Sequence, residues 1–139
     1  MKGCYCLIIN LDKNSEIRIG RKLGKIKFKK GTYVYVGSAM NSLESRLKRH
    51  LSDEKKMHWH IDYLLKESKI TDIIYNESKK VECELSQYLS KKSASIKGFG
   101  CSDCNCESHL YQFKNKKEAI ECVKEAYDSI AIEYFFFKK

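Results

Sequence analysis

The chain has 139 residues, about one domain's worth, and its 27 Lys plus Arg against 18 Asp plus Glu give a formal net charge of +9. That excess makes a polyanion the leading partner, while 42% hydrophobic and 12% aromatic residues suffice for one packed core and exclude disorder for the bulk of the chain. No stretch approaches the roughly 20 apolar residues of a membrane-spanning helix, since the longest, Ile130 to Phe137, is interrupted by Glu133.

From Gly3 to Leu11 the sequence predicts a buried strand, with Tyr5, Leu7, Ile9 and Leu11 alternating against Cys4, Cys6 and Ile8. Turn residues Asp12 to Ser15 lead into two short strand-like pieces, Ile17–Ile19 and Ile26–Phe28, separated by Gly20 and Gly24, which read as an extra hairpin. A further strand, Thr32 to Val36, ends at Gly37 and places Tyr33, Tyr35 and Gly37 on one face. Asn41 or Ser42 can cap the helix that follows, whose apolar stripe is Leu43, Leu47 and Leu51, with Arg46 and His50 one turn apart beside it. Helical spacing recurs over His58–Lys66 and Lys79–Ser90, with a strand at Thr71–Tyr75 between them. A cysteine-rich loop, Gly98–His109, precedes a short apolar piece and a helix from about Lys116 to Ser129 that carries Ala119, Ile120, Val123 and Tyr127 on one side. Proline is absent and the seven glycines are scattered, so no linker or repeat divides residues 1–139 and one domain is expected.

Three features of this order carry chemistry: tyrosines on neighbouring strands, an Arg-His pair on the next helix, and carboxylates on a later helix. Hydrolysis of a phosphodiester needs a group to deprotonate water, a cation for charge on the phosphorus, and a divalent metal held by carboxylate oxygen. Tyr, Arg, His and Glu can fill those roles. Glu82 and Glu84 both flank the Val81–Leu85–Leu89 stripe at 100° per residue, on opposite edges, and helical geometry does not choose between them.

Gly3-Cys4-Tyr5 and Tyr35-Val36-Gly37 resemble the two strand motifs of the GIY-YIG nuclease superfamily, and Arg46 followed by His50 matches its first helix. The strings Gly31 to Ala39, Arg46 to His50, His58 to Leu65, Glu82-Cys83, Gly98 to Gly100 and Ser102 to Leu110 are similar, in order, to the Uri-type branch of small endonucleases, which occur alone or joined to endonuclease III-like repair glycosylases. The resemblance implies an α+β fold: a small three-stranded antiparallel sheet with the extra hairpin as an insert, flanked by helices, its core at about residues 3–110. It implies a metal-dependent endonuclease that uses Mg²⁺ or Mn²⁺ on DNA. Tyr5 and Tyr35 would position or deprotonate water, Arg46 would contact the phosphate, His50 would assist, and Glu82, three residues before a helix leucine, would hold the metal. Cys4 stands where the superfamily has isoleucine, and its side chain is expected to point away from Tyr5. A tyrosine, with an ordinary pKa of about 10, needs its anion stabilised to act at neutral pH.

Seven cysteines are an odd number, and no small-residue cleavage site follows the N-terminal apolar run, so reduced thiols or a metal site and a cytoplasmic location are expected. Cys101, Cys104, Cys106 and His109 offer four ligands in nine residues that Zn²⁺ could accept, with Cys83 able to replace Cys101. The other reading of the loop is structural, with buried thiols. His58-Trp59-His60-Ile61-Asp62 is read as structural, since histidines two apart on a helix diverge; the alternative is that His60 or Asp62 shapes a substrate groove. Two further classes stand beside the nuclease: a non-catalytic nucleic-acid-binding module, and a zinc-stabilised adaptor for a repair glycosylase.

Overall fold

Strand β1 (Gly3–Leu11) is buried on both faces and organises everything around it. The computed structural model describes residues 1–101 and 106–139, so Cys104 of the anticipated zinc set lies outside the described residues. After β1 come β2 (Ser15–Arg18), α1 (Gly20–Leu23), β3 (Lys25–Phe28), β4 (Gly31–Ala39), α2 (Leu43–Leu51), α3 (His60–Leu65) and β5 (Lys69–Glu77). The rest comprises α4 (Glu82–Lys92), β6 (Ala94–Ser95), β7 (Leu110–Phe113), α5 (Lys116–Ser129) and β8 (Phe135–Phe136). The class is mixed, with antiparallel sheets and several helices. Among the described residues the main sheet has six strands in the order β6-β7-β4-β1-β5-β8, not three. At its centre β1 pairs antiparallel with β4 on one side and β5 on the other. β7 and β8 extend it because β4 and β5 would otherwise leave their outer N–H and C=O groups unpaired.

The two-residue alternation of β1 divides the core. Tyr5, Leu7, Ile9 and Leu11 pack with Leu43 and Leu47 of α2, Ile61 and Leu64 of α3, and the insert residues Ile17, Ile19 and Phe28. Cys4, Cys6 and Ile8 face the other way, against Val81, Leu85 and Leu89 and the α5 residues Ala119, Val123 and Tyr127. Cys4 thus turns away from Tyr5. Its sulfur accepts the Val81 N–H at 3.1 Å, and burial pushes its thiol up to about 11, so it packs as a small neutral group. The insert is the anticipated antiparallel hairpin, β2 on β3, with the short α1 between its strands.

Two helices begin later than their periodicity suggests. Ser78 sits at φ 71 and its N–H bonds to the Lys2 carbonyl at 2.7 Å, a turn that delays α4 from Lys79 to Glu82 and leaves Val81 packed ahead of the helix. The backbone N–H groups of His58 and Trp59 both donate to Asp62 Oδ2 at 2.9 Å. Trp59 is therefore extended and α3 starts at His60. Ser42, rather than Asn41, caps α2, its hydroxyl accepting the Ser45 N–H at 3.2 Å. No helix among the described residues is long and apolar enough to cross a membrane.

Candidate functional site

At one end of the central strands, where β1 and β4 meet α2, a cleft of about 350 Å³ opens. Tyr5, Tyr35, Arg46, His50 and Glu82 all line it, although their positions span β1, β4, α2 and α4. Among the described residues Glu82 is its sole lining carboxylate, and Arg46 and Lys80 are its Lys/Arg cations. Glu84 is exposed and does not line the cleft. The basic stretch Arg21–Lys30 contributes no lining residue either.

Antiparallel register places Tyr5 opposite Gly37, and the tyrosine ring lies across the glycine. A Cβ there would stand 2.5 Å from both Cζ and Oη of Tyr5. The glycine is required by this approach, with Tyr5 itself only 1% exposed. Gly37→Ala should therefore destabilise the fold by about 1–3 kcal/mol through overpacking and push the Tyr5 hydroxyl off its partner. A thermal melt matching that of the unaltered protein would contradict this.

That partner is His50. The Tyr5 hydroxyl and His50 Nε2 share a hydrogen bond of 2.7 Å, and the Tyr5 and Tyr35 ring centroids lie 6.5 Å apart. Burial raises Tyr5 well above its ordinary pKa against the opposing pull of the Arg46 guanidinium, and raises Tyr35 likewise. Burial also pushes His50 down to about 3. All three groups are consequently neutral in the free protein at neutral pH. The other ring nitrogen of His50, Nδ1, has no hydrogen-bond partner among the described residues.

Ser38 joins the two ends of the charge pattern. Its hydroxyl donates to Glu82 Oε1 at 3.1 Å, and its carbonyl accepts from Arg46 Nη1 at 2.9 Å. Lys80 Nζ stands 3.8 Å from the same Glu82 oxygen. The Arg46 and Arg49 guanidiniums lie over the Trp59 ring at 4.2 and 4.4 Å from its centroid. Arg49 is also held by a two-pronged ion pair, Nη1 and Nη2 each 2.9 Å from an Asp62 oxygen. Asp62, fully buried, is a scaffold residue, as the structural reading of its string expects. His58, Trp59 and His60 of that string do line the cleft. His60 Nδ1 accepts the Gly100 N–H at 2.8 Å, which ties α3 to the cysteine loop. Ser38 and Trp59 lie within strings that carry the resemblance but receive no role from them, and Lys80 lies outside those strings; all three matter because of what they touch.

Of the anticipated zinc ligands, Cys106 and His109 come together with Cys83: one ligand atom from each lies within 4.8 Å of the others. Cys101 is not in that group, and its thiol donates to the Phe99 carbonyl at 3.4 Å.

The chain belongs to the family described as domain of unknown function DUF123, whose model matches residues 4–132, a span that runs from β1 beyond α5. No curated protein and no solved structure matches it significantly.

Proposed function

We propose that the cleft binds DNA and hydrolyses its phosphodiester bonds with the help of a divalent cation, as the sequence resemblance to GIY-YIG nucleases implies. The observation that carries this reading is convergence: Tyr5, Tyr35, Arg46, His50 and Glu82, drawn from four separate elements, line one cleft, and Glu82 is the one acid there among the described residues. The donor set suits Mg²⁺ or Mn²⁺, because such ions are commonly held by one or two carboxylates together with substrate phosphate and water. Glu82, its side chain 18% exposed, would be the protein ligand. A cation there would acidify a bound water and offset charge on the phosphate.

The chain's own residues have three tasks. Arg46, fixed by the Ser38 carbonyl and the Trp59 ring, faces the phosphate oxygens and stabilises charge as the water oxygen bonds to phosphorus and the ester oxygen departs. Tyr5 and Tyr35 orient the water with neutral hydroxyls. The Tyr5–His50 hydrogen bond offers a route for the water's proton, from Tyr5 Oη to His50 Nε2. Burial disfavours that transfer in the free protein, but a phosphate anion in the cleft favours the imidazolium and so raises the proton affinity of His50.

Incubation with branched, nicked and single-stranded DNA and either cation tests the reading; inertness on all of them with every cation would sink it. Binding is a separate observable. With net charge +9 and Arg46 and Lys80 in the cleft, affinity should fall by on the order of 10-fold or more between about 50 and 200 mM salt. An affinity indifferent to salt would remove nucleic acid as the ligand.

A further inference from the structure

We propose that Cys83, Cys106 and His109 bind one zinc ion that fastens the first turn of α4 to the loop before β7. The ligand atoms of the three lie within 4.8 Å of one another. Zinc–sulfur bonds of about 2.3 Å and zinc–nitrogen bonds of about 2.0 Å in a tetrahedron set ligand atoms roughly 3.5 Å apart. Binding zinc would draw the ligand atoms from the observed spread to that separation. Two thiolates with an imidazole suit zinc better than a hard cation such as Mg²⁺. Each thiol gives its proton to solvent as its sulfur bonds to the metal, with no change of oxidation state.

What surrounds the trio is built for ligation. The Ser86 hydroxyl, one turn along α4 from Cys83, lies 2.6 Å from His109 Nδ1. A histidine ligand is commonly oriented by such a contact on its second nitrogen, and this one assigns the metal to Nε2. The His109 backbone is held on both sides: its N–H donates to the Phe99 carbonyl and its carbonyl accepts the Val36 N–H, each at 2.9 Å. Ser86 and His109 are both buried. Cys83 follows Glu82 directly, and His109 itself lines the cleft, so the ion would hold the carboxylate's helix against β4 from behind. The site does not rest on the nuclease reading, because metal content is measured without DNA.

Elemental analysis of the full chain purified without chelator should find stoichiometric zinc. Cys83→Ser and Cys106→Ser should lose it, whereas Cys101→Ser should keep it. Should either loss variant fail to fold, Ser86→Ala keeps all three ligands and nearly the same shape, and its zinc affinity should drop by about 10- to 100-fold. Replacing zinc with Co²⁺ in the unaltered protein should give the visible absorption of a thiolate-bound tetrahedral ion. Folded protein without zinc and without that cobalt spectrum would overturn the proposal. So would full zinc content in Cys83→Ser, or a Cys83–Cys106 disulfide in the purified chain.

Discussion

Arg46→Ala and Glu82→Gln should each abolish DNA cleavage, while Glu84→Gln retains most of it. The reasons differ. In the proposed reaction Arg46 would stabilise charge accumulating on the phosphate, and removing one preorganised donor of this kind commonly costs about 10²–10³ in rate. The alanine variant also loses the contacts to the Ser38 carbonyl and the Trp59 ring, so DNA affinity should fall as well. Arg46→Lys restores charge without the planar fork and should recover only part of the rate. Glu82→Gln keeps the shape of the side chain and its bond from Ser38 but gives up the charge that would hold the cation. Its DNA affinity should be intact or higher, since a negative charge near the phosphates is gone. Glu84 provides the internal control, being on the same helix turn but exposed and outside the cleft. Cleavage and binding of the four variants, with circular dichroism to establish folding, would refute the assignment if Glu84 proved essential and Glu82 dispensable.

The contrast between those two glutamates shows where a sequence stops being informative. Residue spacing places both beside the Val81–Leu85–Leu89 stripe, and nothing local separates them. Glu82 is selected by Ser38, 44 positions earlier on β4. Long, regular elements were legible because their patterns repeat: β1 spans Gly3–Leu11 and α5 spans Lys116–Ser129 as their alternation and helical period predict. Short edge strands were not. Phe135 and Phe136 are a strand only because Ile74 and Tyr75 present a free edge to them, a property of β5 and not of the two phenylalanines. Val81 fits the helical stripe of α4 yet stands outside it, because the Ser78 turn follows from a bond to Lys2 at the other end of the chain. The Tyr5–His50 pair, 45 residues apart, has the same character. The motifs name its members, and only the packing of α2 on β1 joins them.

Asp62→Ala should destabilise the protein by about 2–4 kcal/mol, a loss that melts or denaturant curves would register directly. The carboxylate is fully buried and accepts four N–H groups, two from Arg49 and one each from the backbones of His58 and Trp59. Alanine strands those backbone donors, but Arg49, with its side chain 27% exposed, can turn its charge to water, which keeps the loss below the largest known for broken buried pairs. Asn is a sharper probe. Its oxygen can keep the two backbone bonds, whereas its amide meets a guanidinium donor and the charge attraction is lost, so Asp62→Asn should fall between Ala and the unaltered chain. Burial on its own would raise the Asp62 pKa, but the Arg49 fork and the two backbone N–H groups outweigh it and hold the carboxyl below its ordinary value. A depressed folded-state pKa contributes stability that is present above the unfolded value of about 3.9 and is lost as pH falls through the folded one. The unaltered protein should therefore lose stability on acidification below about pH 4, and Asp62→Asn should lack that part of the loss. Because Arg49 and Arg46 share the Trp59 ring, the same variant should also loosen Arg46 and slow cleavage even where the protein stays folded. An Asp62→Asn variant with unchanged acid stability and an unchanged cleavage rate would show that this buried pair neither supports the fold nor positions the cleft's arginine.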